Sequence, residues 1–404
     1  MLSVAEARDR ILAGLRPLGH EQVAVSEAHG RVLAEDVTAR LTQPPAAVSA
    51  MDGYAVRAAD VAAVPAALAV IGEVPAGRRF EGRVGPREAV RIFTGAPLPA
   101  GADTIVIQED VDAEGARILV REGAAPGTYV RPAGLDFAAG DRGIARGRRL
   151  TPRDIGLAAA MNWPWLRVTR RPRVAILATG DEVVMPGEPI APSQIVSSNG
   201  LALAAFVTAC GGQPLPLGIV ADDRAALAAM AAGARGADLL VTTGGASVGD
   251  HDLVRSALGD QGLELDFWRI AMRPGKPLLF GRLGATPVLG LPGNPVSSLV
   301  CATIFLKPAL ELMLGLPPAD ATPRTARLGC DLAANDRRQD YLRARLVRDD
   351  SGRLVATPFP VQDSSMLSRL AWADCLVLRA PLAPPARAGD EVEIIQLDGG
   401  SPAI

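Results

Sequence analysis

The stretch Arg173-Val-Ala-Ile-Leu-Ala-Thr-Gly-Asp-Glu182 reads as a buried strand that breaks into a polar turn. Ala237-Asp-Leu-Leu-Val-Thr-Thr-Gly-Gly-Ala-Ser-Val-Gly-Asp-His-Asp252 repeats the pattern further along the chain. A short, continuous apolar run bounded by glycine is the signature of a strand covered on both faces. Around these two runs the spacing predicts further strands at 215–220, 263–270 and 287–291. It predicts helices near 198–210, over 222–234, from about 250 and over 294–314. Strands alternating with helices predict a parallel sheet with helices on both faces.

Outside this segment the pattern changes. Ser3 stands as an N-cap before Val4, Ala7, Ile11, Leu12 and Leu15, which predicts an amphipathic opening helix over 3–15. From about 44 to 140, short apolar runs cut by Gly and Pro predict a small β domain. Residues 315–323 read as a linker, and β-like segments from Ala326 onward predict a final β domain.

With 404 residues the chain has material for several domains at roughly 100–200 residues each. Hydrophobic residues make up 49% and charged residues 21%, which supplies several cores and excludes global disorder. The net charge of −2 provides no field to draw the molecule to nucleic acid or an anionic membrane, so anions must be bound locally. The start lacks a signal-peptide pattern, and the longest apolar run, 299–306, stops at Lys307-Pro308, short of the about 20 residues of a membrane span. The expectation is a cytoplasmic protein. Four dispersed cysteines without C-x-x-C spacing and only three histidines leave a hard cation on carboxylates, such as Mg²⁺, as the metal to expect. Ten arginines between Arg131 and Arg173, against three aspartates, form either a solvated face or a basic wall to an anion site.

In an open parallel sheet, ligands bind beyond the carboxyl ends of the strands. Four loops there carry unusual polar content: Thr179-Gly180-Asp181-Glu182, Thr242 to Asp252 with Thr243, Gly244, Gly245 and Ser247, Arg273-Pro-Gly-Lys276, and Leu291-Pro292-Gly-Asn-Pro-Val-Ser297. Their glycines let backbone amides approach a phosphate, and two cations three residues apart add directed charge. Asp181, Glu182, Asp250 and Asp252 are candidate Mg²⁺ ligands, acid/base groups or helix caps. Together the loops point to a phosphate-bearing ligand and a divalent cation. Gly245-Ala-Ser247-Val-Gly249 matches a nucleophile elbow, but no histidine follows His251, so a serine hydrolase is excluded. No Walker A loop and no G-x-G-x-x-G after a strand is present.

Seven motifs then occur in order: Ser-Ala-Met-Asp52-Gly-Tyr-Ala, Arg-Ile-Phe-Thr94-Gly-Ala-Pro-Leu-Pro, Arg131-x-x-Gly-x-Asp136, Thr-Gly-Asp-Glu182, Gly-Gly-Ala-Ser-Val-Gly-Asp-His-Asp252, Arg273-Pro-Gly-Lys276-Pro and Leu-Pro-Gly-Asn-Pro-Val-Ser297. As a set they resemble the molybdopterin molybdenumtransferases, the MoeA/gephyrin E-domain family, along essentially the whole chain. The resemblance implies a discontinuous N-terminal mixed domain (1–43 and 140–171) with an inserted β domain (44–139). It further implies an α/β domain similar to the molybdopterin adenylyltransferase (172–316) and a small C-terminal β-barrel (321–404). It implies a homodimer that takes adenylylated molybdopterin and molybdate, inserts molybdenum and releases AMP with Mg²⁺. Molybdopterin adenylyltransferase and maturation proteins of downstream molybdoenzymes are the partners to expect.

Carried over by position, the family's functional residues are Asp52, Thr94, Asp136, Glu182, Asp222 and Asp252, with Glu182 and Asp252 as the metal ligands. Arg273, Lys276, Ser297, Arg343 and Ser364 match its oxyanion-binding positions. The segment Gln362-Asp-Ser-Ser departs from a Gln-Gly-Ser pattern, so Ser364 and Ser365 compete for one position. The resemblance places the site where the β insertion of one subunit meets the α/β and last domains of the other. A sister adenylyltransferase would be a compact single domain, which residues 1–170 and 321–404 argue against. A scaffold of the gephyrin type would add domains that are not visible here.

Overall fold

The computed structural model describes residues 1–244, 253–316 and 324–397, which divide into two compact units. One comprises Met1–Glu35, Arg146–Pro152 and Leu166–Ile404; the other comprises Asp36–Ala145 and Arg153–Trp165.

The first unit is built on a six-stranded sheet in the order Gln213–Val220, Arg173–Thr179, Leu239–Thr243, Thr286–Leu291, Pro277–Leu283, Leu263–Arg269. The first four strands run parallel. The strand Pro277–Leu283 was not expected from the sequence, and it pairs antiparallel with both neighbours, so the sheet is mixed toward one edge rather than parallel throughout. The reason is local: residues 284–285 leave space only for a hairpin into Thr286–Leu291, and no crossover helix fits there.

Side-chain parity separates two cores. Val174, Ile176, Leu239, Val241, Leu289 and Leu291 enter one. Ala175, Leu177, Leu240 and Val288 enter the other, with Leu227 and Ala231 of the helix Arg224–Ala232. The opening helix Val4–Ala13 carries a capping box, in which the Ser3 hydroxyl accepts from the Glu6 amide at 3.2 Å and the Glu6 carboxylate accepts from the Ser3 amide at 2.8 Å. Its buried face, Val4, Ala7 and Ile11, belongs to the first of these cores. The continuous helix Pro295–Met313 contains a π-type turn over Ala302–Leu306. It is long and apolar enough to cross a membrane, but 67% of that window is buried, as in a core helix.

The same unit ends in a barrel. Gln339–Arg348, Leu354–Pro358, Arg324–Leu328, Glu391–Gln396 and Cys375–Arg379 pair in sequence, and the last closes back onto the first. Tyr341 and Leu376 of the barrel belong to the same core as the sheet and the opening helix.

The second unit holds a six-stranded sheet in the order Thr104–Ile107, Gly53–Val56, Glu88–Ile92, Ala66–Val74, Arg117–Val120, Val111–Glu114. The pairing of Val37–Thr38 with Arg142–Ile144 ties both flanks of Asp36–Ala145 to this unit.

Ile11→Ala tests the place of the opening helix. Ile11 is 1% exposed, so truncation is expected to cost about 2–5 kcal/mol, read as a lower urea midpoint. A loss below about 0.5 kcal/mol would mean that the helix is not part of this core.

Candidate functional site

Topology fixes where a ligand can bind. Arg173–Thr179 and Leu239–Thr243 are neighbours, but the chain leaves the first toward Gln213–Val220 and returns past it to the second, then continues toward the opposite edge. A crevice therefore opens between their carboxyl ends. Ala178 stands opposite Thr243 and Thr243 opposite Leu291, so the loops after all three strands meet at one edge. A cleft of about 640 Å³ lies there, lined among others by Thr179, Glu182, Asn199, Gly244, Pro292 and Ser297.

Gly244 has φ +93°, and a Cβ on it would stand 2.3 Å from the Thr179 carbonyl oxygen. Only glycine permits this approach of the two strand ends. Asn199, at the start of the helix Asn199–Ala209, ties the edge together. Its Nδ2 donates to Thr243 Oγ1 at 2.9 Å and to the Gly293 carbonyl at 2.7 Å, while the Thr243 hydroxyl donates to the Pro292 carbonyl at 3.2 Å. Sequence reasoning placed Thr243 in a polar strand-end loop without giving it a role, and passed over Asn199. The available signal was the polar run Ser197-Ser-Asn199 at a helix start among strand-end loops.

Among the described residues, two hydroxyls in this cleft have no hydrogen-bond partner. Thr179 is 3% exposed and its Oγ1 is buried without a hydrogen bond. The Ser297 hydroxyl, on a residue 5% exposed, has none among the described residues. For Thr179, whose Oγ1 is fully buried, an unpaired hydroxyl costs about 1–3 kcal/mol, which a ligand oxygen would recover. Glu182 is exposed and lines the same cleft. Asp181 is engaged by the Asp222 amide at 2.9 Å, and Asp223 caps the next helix through the Ala226 amide at 2.8 Å, so these carboxylates brace loops. Gly180, with φ +142°, carries the turn between Thr179 and Asp181. Gly245, Ser247, Asp250, His251 and Asp252 lie outside the described residues. Among the described residues, no group of three or more His, Cys, Asp or Glu side chains is placed to hold a metal ion.

The expected oxyanion ligands are differently disposed. Arg273 Nε donates to Asp340 Oδ1 at 2.8 Å and its NH2 to Asp340 Oδ2, with Asp336 3.6 Å away. This pairing raises the guanidinium pKa, so Arg273 is occupied. Lys276 lines a different cleft, with Glu6, Asp266 and Asp336. Arg343 is 1% exposed; its NH2 donates to the Asp363 carbonyl at 3.0 Å, its Nε has no partner, and burial pushes its pKa down. The Ser364 hydroxyl accepts from Asn294 Nδ2 at 2.8 Å, and the Ser364 carbonyl from the Val296 amide at 3.2 Å. Ser364 thus clamps the barrel loop to the helix start, and Ser365 is the serine that lines the cleft. Two arginines of the stretch 131–173 are structural fasteners. Arg170 pairs with Asp238 through two 2.6 Å contacts, and Arg149 donates to the Cys210 carbonyl at 3.0 Å and the Gly30 carbonyl at 3.3 Å.

In the second unit, Asp52 Oδ1 accepts from both the Thr94 amide at 2.7 Å and the Thr94 hydroxyl at 2.8 Å. These bonds hold its pKa below the usual carboxylate range, with a smaller contribution from Arg91. The pairing Gly53↔Ile92 brings the two motifs together, and a Cβ on Gly53 would stand 2.1 Å from the Val106 carbonyl oxygen. Asp136 lines a separate cleft of the second unit.

Comparison with known proteins follows this division. Family models match as the MoeA N-terminal region (domain I and II) over residues 2–162, a probable molybdopterin binding domain over 175–312, and the MoeA C-terminal region (domain IV) over 325–397. Molybdopterin molybdenumtransferase 2 of Mycobacterium tuberculosis is 38% identical over 358 residues, covering 86% of this chain and 88% of its own. The molybdopterin molybdenumtransferase of Haemophilus influenzae is 32% identical over 398 residues, 98% of each chain. Two crystal structures of molybdopterin biosynthesis MoeA proteins from Pyrococcus horikoshii match with TM-scores of 0.85 and 0.82 at 32% and 28% identity, covering 99% and 98% of this chain and 100% of theirs.

Thr94→Ala removes one of the two bonds that keep Asp52 ionised, so the Asp52 pKa is expected to move up toward the usual range. Carboxyl-carbon NMR titration reads it, and an unmoved value would assign the whole effect to the amide. Asp340→Asn, at a residue 3% exposed, is expected to destabilise by about 1–3 kcal/mol in urea denaturation. A near-zero cost would show Arg273 to be open to an anion.

Proposed function

The chain belongs to the MoeA family of molybdopterin molybdenumtransferases, and from that premise we propose how its own residues carry the reaction. It is a transferase of molybdenum cofactor biosynthesis that inserts molybdenum from molybdate into molybdopterin. The substrate we assign is adenylylated molybdopterin, with AMP leaving as molybdenum enters. The observation that carries this reading is the sheet-edge cleft, in which an unpaired buried Thr179 hydroxyl and the exposed Glu182 carboxylate face one space.

In this reading Thr179 donates to a phosphate oxygen of the adenylyl group. Asn199 is a positioning residue that holds Thr243 and the 292–293 turn against it. Mg²⁺ usually takes one or two carboxylates and completes its shell with phosphate oxygens and water, so Glu182 in this cleft fits such a site without a preformed cage. Asp252 is the second ligand carried over from the family. The ion, when bound, would neutralise phosphate charge and favour departure of AMP. Molybdate is a tetrahedral dianion. The donors we assign to it are the Ser297 hydroxyl and Arg343, with Lys276 and Ser364 carried over from the family. Arg273 joins them only by leaving Asp340. Asp52, Thr94, Asp136 and Asp222 are assigned to the reaction by family position, in a cytoplasmic homodimer.

AMP release from purified protein, adenylylated molybdopterin and Mg²⁺ tests the proposal. Release that depends on molybdate and yields cofactor is expected; tight binding without release in either condition would overturn it. Thr179→Val is expected to lose about tenfold in turnover, the equivalent of one hydrogen bond. Glu182→Gln is expected to lose the response to Mg²⁺.

A further inference from the structure

The sheet of the second unit stops just short of the pair Asp52 and Thr94. The ladder between Gly53–Val56 and Glu88–Ile92 ends at Gly53↔Ile92, and beyond it the two chains leave the sheet. Contacts outside the ladder must then hold Asp52 and Thr94 together. On one side the backbone does so: the Gly95 amide donates to the Ser49 carbonyl at 2.8 Å, and the Ser49 amide to the Ala96 carbonyl at 2.9 Å. On the other side the tie is Arg91. Its NH1 donates to the Gly53 carbonyl at 3.2 Å and its NH2 to Gln108 Oε1 at 2.6 Å. The Gln108 amide in turn donates to the Asp52 carbonyl at 3.2 Å. The guanidinium carbon stands 5.1 Å from the Tyr54 ring centroid and 4.9 Å from that of Phe93, the residue before Thr94.

These contacts converge on one place. Gly53 and Tyr54 follow Asp52, Phe93 precedes Thr94, and Gln108 is one hydrogen bond from Asp52. A planar fork can bond two acceptors and lie against two rings at once, which the point charge of a lysine does not reproduce. The same positive charge favours the ionised form of Asp52. Glu109, the next carboxylate along the turn, is engaged at the other end of Gln108, whose Nε2 donates to it at 3.3 Å. Asp52 is half-buried, so water competes for its bonds to Thr94, and their geometry depends on how firmly the two chain segments are held. We propose that Arg91 is a positioning residue for molybdenum transfer, fixing the Asp52 carboxylate against Thr94 by its grip on Gly53, Gln108 and Phe93. Asp52 has its place in the reaction by family position, and the proposal rests on that reading.

Steady-state turnover and carboxyl-carbon NMR on the full-length protein test it. In Arg91→Met, which keeps an unbranched stem over the rings, kcat is expected to fall about tenfold with KM changed less than about twofold. The Asp52 titration is expected to move up and to carry the acid limb of the pH–rate profile with it, because less of the carboxylate is then ionised at low pH. Arg91→Lys returns the charge without the fork. Its titration is expected to sit near the native position while kcat recovers only in part. Gln108→Ala, which removes one contact of the fork and leaves Arg91 in place, is expected to lower kcat about threefold. Native kcat in folded Arg91→Met overturns the proposal. Should that variant fail to fold, native kcat in both Arg91→Lys and Gln108→Ala overturns it. A lower kcat in Arg91→Met with an unmoved Asp52 titration and acid limb also overturns it, since an arginine that serves stability alone would give that result. Native turnover in Asp52→Ala overturns instead the reading of Asp52; an inactive Asp52→Ala beside a fully active Arg91→Met removes only the role of Arg91.

Discussion

The approach of two strand ends, with the Gly244 α-carbon against the Thr179 carbonyl, is the contact on which the site depends. It lets Arg173–Thr179 and Leu239–Thr243 stay in register to their last residues, so their loops diverge from a common line. Any side chain at 244 would push the strands apart where the crevice begins. The Thr179 hydroxyl is buried by the same closeness and has no partner among the described residues. A small energetic penalty is thereby stored where a ligand would relieve it.

The barrel is tied into this arrangement by polar contacts rather than by linker alone. Ser364 receives hydrogen bonds from the Asn294 side chain and the Val296 amide, which caps the helix start that carries Ser297. On the other side, Met272–Arg273 adds to the barrel strand beginning at Gln339, and Arg273 grips Asp340 in that strand. The loop containing Lys276 and the helix start containing Ser297 are each attached to the barrel. A shift of the barrel would therefore move both, and Arg343, buried on the barrel strand Gln339–Arg348 with an Nε unpaired among the described residues, would move with them.

Much of this was legible in the sequence because burial on two faces writes a simple pattern. Runs such as Val174–Ala178 and Leu239–Val241 are apolar at every position, and their Gly-rich exits mark the functional edge. The strand Pro277–Leu283 escaped notice because it directly follows the Arg-Pro-Gly-Lys turn, and its antiparallel course depends on a hairpin rather than a crossover. Side-chain pairing was equally hidden. Nothing in Arg273-Pro-Gly-Lys276 announces that Asp340, far along the chain, would take the guanidinium, since such a pair is set by tertiary placement. Asn199 was passed over for a related reason: its contacts, Thr243 and Gly293, become neighbours only when three strand ends meet.

Positive charge in this chain is almost wholly arginine, and that changes how a basic segment should be read. The guanidinium fork binds backbone carbonyls and carboxylates with defined geometry, so it serves as a structural fastener as readily as an anion ligand. Arg149 on two carbonyls and Arg170 on Asp238 show the first use within the stretch densest in arginine. Density along the sequence therefore says little about anion binding. Exposure is no better a guide, since Arg142 and Arg167 are both exposed and both face carboxylates.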